Sequence, residues 1–183
     1  MLKESENPPI TWPDDRKIKD FQGTWWVAHT KSRNEKALAW QLKNKDISYF
    51  LPMSWKVSQN RGRKTRSLLP LFSGYLFFCG DEDDRLKVLR TNRVANLIEV
   101  KNQDRIIKDL TPIETALKCD EILRPESSIK KGQRCRVLAG PLMGTEGVVI
   151  QTQQKYRLIL QVEMLGQATS VDIDAEMLDI IEG

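Results

Sequence analysis

The residues best suited to chemistry begin with four carboxylates in a row, DEDD at residues 81–84. Such a run could bind a divalent cation, but Ca²⁺ and Mg²⁺ sites draw their ligands from dispersed positions rather than from one contiguous run. Acidic side chains in the first turn of a helix stabilise the positive end of its dipole. We therefore expect the four carboxylates to begin a helix, and we predict no metal site.

The cysteines and the histidine form no recognisable catalytic or zinc-binding set. Cys79, Cys119 and Cys135 are widely spaced, with no Cys-x-x-Cys pair, and His29 is the single histidine. Zinc sites need four such ligands at close spacing. An odd, scattered cysteine count also indicates a reducing compartment. His29 lies in a strand-like segment without a visible nucleophile partner, so we expect a structural role and no enzymatic activity.

A glycine-rich stretch, GPLMGTEG at residues 140–147, could cradle a phosphate or form a turn. A P-loop ends in Gly-Lys-Ser/Thr and leads into a helix, whereas Gly147 leads into the β-branched run VVIQT. The sequence therefore predicts a turn between two strands and no nucleotide cofactor. Leu142 and Met143 are unusually large and apolar for a turn. They either fold back over the strands or form an exposed docking tip.

Positive charge is concentrated in the first half of the chain. Residues 24–66 hold ten basic side chains and two acids, while the whole chain has a net charge of +4. This pattern favours a polyanionic partner, although a solvated basic face is the alternative. No apolar run approaches the ~18 residues that a transmembrane helix needs. The polar start of the chain does not resemble a signal peptide, so we expect a cytoplasmic protein.

The elements that must position these residues fall into two groups. We interpret residues 1–23 as a flexible extension and TWWVAHT as a strand. A capping box formed by Ser32 and Glu35 predicts a helix. ISYFLPMSWKVSQ and SLLPLFSGYLFFCG predict a hairpin with the cationic tip NRGRKTR, and VANLIEV predicts a further strand. TPIE at 111–114 predicts a last helix start, with Thr111 as cap and Pro112 in the first turn.

Beyond residue 131 the pattern changes to strands alone. Five short strands are predicted, in QRCRVLA, GVVIQTQ, RLILQVEML, TSVDID and MLDII, which indicates a small barrel. The predicted class is α+β, with an amino-terminal α/β sandwich of an antiparallel sheet and flanking helices before the barrel. We predict four segments: the extension at 1–23, a first domain at 24–118, a linker at 119–129 and a barrel domain at 130–183.

These segments resemble the NusG family of transcription elongation factors and its RfaH-like paralogues. The stretch KKGQRCRVLAGPLMGTEGVVI resembles a KOW motif of the Src-homology-3-like barrel, in which seven residues match: Gly132, Val137, Gly140, Pro141, Gly144, Gly147 and Val149. TWWVAHTKSRNEKALAWQL and LPLFSGYLFF are similar to segments of the NusG amino-terminal domain. Leu142 stands where the family has phenylalanine, Ser73 stands where it has proline, and the extension has no counterpart.

The resemblance implies a set of binding residues. An apolar patch would contact the clamp helices of RNA polymerase, and its candidates are Trp25, Leu71, Phe72, Tyr75 and Phe77. Because strand side chains alternate between faces, we favour Phe72 and Tyr75 as surface residues and expect Phe77 in the core. Basic residues would contact DNA or RNA at the upstream fork of the transcription bubble: Lys31, Arg33, Lys36, Arg61, Arg63, Lys64 and Arg66.

The barrel loop would bind a ribosomal small-subunit protein or the termination factor Rho. Its candidates are Gly140, Pro141, Leu142, Met143 and Gly144. The resemblance also implies a monomer that modulates pausing, termination or antitermination without cofactors. Two other classes stay open: a ribosome-associated or RNA-binding KOW protein that does not bind polymerase, and an enzyme with an unrecognised site. Whether the chain is a general factor or an operon-specific one also stays open.

Overall fold

A computed structural model describes residues 6–60, 63–126, 132–152 and 155–181, with the backbone alone at Asn60 and Arg63. The chain forms two compact units, Met1–Gln103 and Asp104–Gly183. Sheets and three α-helices in the described ranges give the predicted α+β class. Within those ranges, no helix has the length and apolar character needed to cross a membrane.

The first unit is formed by strands with helices interspersed among them. In order they are β1 (Thr11–Trp12), β2 (Thr24–Thr30), α1 (Glu35–Asn44), β3 (Ser48–Phe50), β4 (Met53–Asn60), β5 (Arg63–Pro70), β6 (Tyr75–Gly80), α2 (Glu82–Leu89) and β7 (Val94–Glu99). Five strands form an antiparallel sheet in the order β1-β3-β6-β2-β7, and β4 pairs with β5 in a separate hairpin. The predicted hairpin is present as β4 and β5. Each of the two predicted extended stretches, however, divides into two strands, and β3 and β6 belong to the five-stranded sheet.

Helix α1 covers one face of this sheet. Leu38 and Leu42, one helical turn apart, are fully buried and form a cluster with Ala28 of β2 and with Leu76 and Phe78 of β6. The spacing of Leu38 and Leu42 is that of an apolar helical stripe. The alternation of side chains along β6 puts both Leu76 and Phe78 on the helix side.

The opposite face of the sheet carries an aromatic group. Phe77 of β6 lies beside Phe50 of β3, with ring centroids 6.5 Å apart, and meets Phe72 edge-on at 6.0 Å. Every residue of β6 after Tyr75 is buried, so both faces of this central strand are covered. Phe77 is thus part of the core, as expected.

The predicted extension has defined structure from residue 6 to residue 22, in contrast to the loose segment that was expected. Strand β1 pairs antiparallel with β3 and adds a fifth strand to the sheet. The Tyr49 hydroxyl donates to the Pro9 carbonyl at 2.9 Å, and Ile18, in a 3₁₀ turn, is fully buried. Polar and proline-rich composition favoured a loose chain, but a few apolar anchors and backbone pairing are enough to fix it.

Helix α1 begins without the predicted capping box. Its N-cap is Asn34, no side chain caps it, and the helix starts at Glu35. The carboxylate of Glu35 accepts a hydrogen bond from the Gly74 amide at 2.7 Å. The box formed by Ser32 and Glu35 is therefore wrong, because Glu35 bonds a distant turn rather than its own helix start.

Helix α2 uses the acidic run as expected. The Asp81 side chain accepts from the Asp84 amide, and the Asp84 side chain accepts from the Asp81 amide, which makes a reciprocal capping box. Glu82 pairs with Arg85, and Asp84 pairs with Lys87. These carboxylates serve the helix, and the described residues contain no His/Cys/Asp/Glu group arranged to hold a metal.

The third helix, α3 (Gln103–Lys118), is continuous, so the predicted start at Thr111 is wrong. Ile106, Leu110 and Ile113 are buried at helical spacing on both sides of the predicted start. Pro112 lies inside the helix and lacks the amide that would bond four residues back. The buried stripe outweighs that loss.

The second unit combines most of α3 with a set of short strands. They are β8 (Arg124–Glu126), β9 (Gln133–Val137), β10 (Glu146–Gln151), β11 (Tyr156–Val162), β12 (Gln167–Ile173) and β13 (Leu178–Ile180). They form one antiparallel sheet in the order β13-β9-β10-β11-β12-β8. The five predicted strands are present, and β8 comes from residues predicted as linker. The division into domains at 24–118 and 130–183 stays a prediction.

Candidate binding surfaces

An aromatic pair lies where β6 begins. Tyr75 stands opposite His29 of β2, and their rings stack with centroids 5.0 Å apart and planes 21° apart. His29 is exposed and Tyr75 is half-buried. This aromatic edge, His29 and Tyr75, therefore offers ring surface to a partner.

The other four predicted docking residues are buried. Trp25, Leu71, Phe72 and Phe77 are all at most 4% exposed. The expectation that Phe72 lies at the surface is wrong, because Phe72 precedes β6 and strand alternation does not apply to it. Its ring meets Phe77 edge-on instead.

The segment between β5 and β6, residues 71–74, is named the Gly74 turn. The Leu71 amide donates to the Pro52 carbonyl at 2.8 Å, and Gly74 adopts a φ of +85°. The Gly74 amide donates to Glu35, while its carbonyl accepts from the Thr30 amide at 2.8 Å. Both backbone groups of Gly74 are thus bonded to other elements, which fixes the residue before Tyr75.

Basic side chains gather in the loop that follows β2. Lys31 and Arg33 are exposed there. The Lys31 amide donates to the Arg93 carbonyl at 2.8 Å, and the Arg93 guanidinium donates to the Asn34 side chain at 2.8 Å. Lys31, Arg33 and Arg93 form the basic corner. The sequence alone did not point to Arg93, since it lies far from Arg33 along the chain and no local motif marks it.

Lys36 points inward instead of toward a ligand. Its ammonium donates to the Leu68 carbonyl and to the Asn7 side chain. Burial lowers the pKa of Lys36, and the neighbouring Glu35 carboxylate opposes that shift. Lys36 therefore ties the extension, α1 and β5 together, and this placement does not favour its predicted contact with nucleic acid.

The β4–β5 hairpin carries the remaining predicted cations. Lys64 and Arg66 are exposed, and the Arg66 guanidinium lies 4.1 Å from the centre of the Trp55 ring. Arg61 and the side chain of Arg63 lie outside the described residues. In the described part of the hairpin, an exposed cation thus lies against an aromatic ring.

The glycine loop, residues 140–144, is a tight turn in the second unit. Gly140 and Gly144 have φ values of +82° and +84°, which glycine adopts without strain. The Gly144 amide donates to the Val137 carbonyl at 2.8 Å. Leu142 is 6% exposed and Met143 is 70% exposed. Each of the two predicted alternatives therefore describes one residue: Leu142 folds back, and Met143 projects outward.

A cavity of about 290 Å³ lies beside the glycine loop. Leu142 and Met177 give it apolar walls, and Asp172, Asp174 and Lys155 give it charged ones. Burial pushes the pKa of Asp172 upward, but Arg124 and Lys155 outweigh that effect and hold the pKa below its usual value. The cavity thus combines an apolar pocket with an ionised carboxylate.

A family model described as transcription termination factor NusG matches residues 23–116. The chain belongs to the NusG family. It is also similar to a structure titled "Domain interaction in Thermotoga maritima NusG", with 18% identity, 88% of this chain and 98% of that chain covered, and a TM-score of 0.49. A structure titled "Crystal Structure of MjSpt4:Spt5 complex conformation B" is similar at 16% identity. That match covers 87% of this chain and 97% of that chain, with a TM-score of 0.28. No curated protein matches the chain.

The NusG match contains both the aromatic edge and the basic corner. It ends at residue 116 and so does not include the glycine loop or its cavity. Membership places the chain in a family of transcription factors. Most of the matched residues lie in the first unit.

Proposed function

We propose that the chain is a NusG-type transcription elongation factor that binds RNA polymerase and the nucleic acid beside it. One observation carries this proposal: the aromatic edge and the basic corner adjoin each other. His29 belongs to the first and Lys31 to the second, and the Thr30 amide between them bonds the Gly74 turn. A partner protein and a phosphate backbone could therefore be bound side by side.

The aromatic edge would contact the clamp helices of the polymerase. Partly exposed aromatic rings on a fixed backbone are favourable anchors, since little conformational freedom is lost on binding. Tyr75 is the strongest candidate, because the other predicted docking residues are buried.

The basic corner would contact phosphates at the upstream fork. Lys31 and Arg33 are exposed, and phosphate contacts position a protein without reading sequence. Exposed Lys64 and Arg66 would extend this contact along the hairpin. By bridging polymerase and nucleic acid, the protein would modulate pausing, termination or antitermination in the cytoplasm. It would do so by binding alone, without catalysing a reaction.

The cavity beside the glycine loop supports a second contact. Its apolar walls and carboxylates suit a protein segment with an apolar side chain next to a basic one. A ribosomal small-subunit protein or Rho would be such a partner, with Met143 at the rim of the contact.

The test is binding of the full chain to core RNA polymerase, with forked DNA added as a second ligand. We expect polymerase binding that Tyr75→Ala weakens and that forked DNA strengthens. A chain that binds ribosomes or RNA but no polymerase would overturn the proposal in favour of a ribosome-associated KOW protein.

A further inference from the structure

Glu35 is a charged residue with little access to water. It is 6% exposed, and it is the first residue of α1. Burying a carboxylate is costly unless it is hydrogen-bonded. The role of Glu35 therefore depends on the group that donates a hydrogen bond to its carboxylate.

That group is the Gly74 amide, 2.7 Å from the Glu35 carboxylate. Gly74 immediately precedes Tyr75, and its φ of +85° is a conformation that other residues rarely adopt. The carboxylate thus holds an unusual backbone position next to the aromatic edge.

The other side of Gly74 is equally constrained. Its carbonyl accepts from Thr30, the residue after His29, and a side chain at position 74 would approach the His29 ring to 3.6 Å. The same peptide segment therefore sets the spacing between the two stacked rings.

We propose that Glu35 is a positioning residue for polymerase binding, which acts by fixing Gly74 and through it the stacked rings of His29 and Tyr75. This inference rests on the proposed function. It predicts that the reach of the acceptor matters more than its charge, because the acceptor must meet one particular amide.

The experiment measures polymerase affinity and thermal midpoint for a set of full-length variants. Glu35→Ala removes the acceptor, and Glu35→Asp shortens it by one methylene. Both should weaken polymerase binding by about tenfold, as the loss of an interface anchor does. Glu35→Gln keeps an acceptor oxygen at the same reach and should restore most of the affinity.

Ala39→Gly is the comparison variant, since it weakens the buried interior of the same helix and leaves the Glu35 carboxylate in place. If it lowers both affinity and thermal midpoint as much as Glu35→Ala does, Glu35 is merely structural and the inference is overturned. Wild-type affinity in Glu35→Asp would also overturn it. If Tyr75→Ala weakens binding but Glu35→Ala does not, the inference fails alone. A wild-type chain that does not bind polymerase overturns the proposed function as well.

Discussion

The Gly74 turn and the glycine loop each place a buried apolar residue close to a more exposed one: Phe72 before Tyr75, and Leu142 before Met143. The glycine loop is held by bonds among its own neighbours, such as Gly144 to Val137. The Gly74 turn is held from outside, by Glu35 of α1. Local bonds make a turn independent of the rest of the fold, whereas distant bonds couple it to the fold.

The largest effect is expected from the buried member of the Gly74 turn. Phe72→Ala should destabilise the fold by about 3–5 kcal/mol, because it leaves a cavity beside Phe77. Chemical denaturation of the purified variant measures this loss. A change below about 1 kcal/mol would show that Phe72 is not a core residue.

The corresponding change in the glycine loop should lower the free energy of unfolding by a smaller amount. Leu142→Ala should lose about 2–3 kcal/mol, the lower part of the range for buried leucine, since the loop can partly collapse around the gap. Met143→Ala is the control and should stay within about 0.5 kcal/mol in the same denaturation experiment. Equal losses for the two variants would contradict the division between a buried and a projecting residue.

Tyr75→Ala should affect binding more than folding. We expect polymerase affinity to fall about 10–100-fold, or about 1–3 kcal/mol, with little change in thermal midpoint. Affinity and midpoint should be measured on the same sample. A large loss of stability would place Tyr75 in the core with Phe72.

The smallest effect is expected at the basic corner. Replacing Lys31 and Arg33 by alanine should lower the slope of log affinity for forked DNA against log salt by about 0.7–0.9 for each lost phosphate contact. Lys36→Met is the comparison, and it should leave the slope unchanged because the Lys36 ammonium is bonded internally. A lower slope in Lys36→Met would instead show that Lys36 contacts a phosphate, as the sequence predicted.

The sequence predicted the features that depend on local pattern. Strand β2, the hairpin and the five carboxy-terminal strands follow from β-branched and aromatic runs between turn residues. The start of α2 follows from the order of its own acids. The glycine loop followed as well, because its glycines and its bonding partners are close in sequence.

The sequence could not predict the features that depend on distant partners. Glu35 resembled half of a capping box, and only the fold brings the Gly74 amide to it. Lys36 resembles a surface cation in the sequence, and only the fold brings the Leu68 carbonyl and the Asn7 side chain to its ammonium. Arg93 joined the basic corner through a backbone bond to Lys31. In each case the feature depends on a tertiary contact, which the spacing of neighbouring residues in the sequence does not predict.

The short strand β1 covers the edge of β3 that would otherwise be unpaired. It pairs with the outer side of β3, and the Leu51 amide next to it donates to the Ile10 carbonyl at 2.7 Å. An uncovered strand edge is a template on which a second chain can pair. A fragment cut at residue 23, where the family match begins, would lose this cover and expose the edge to aggregation.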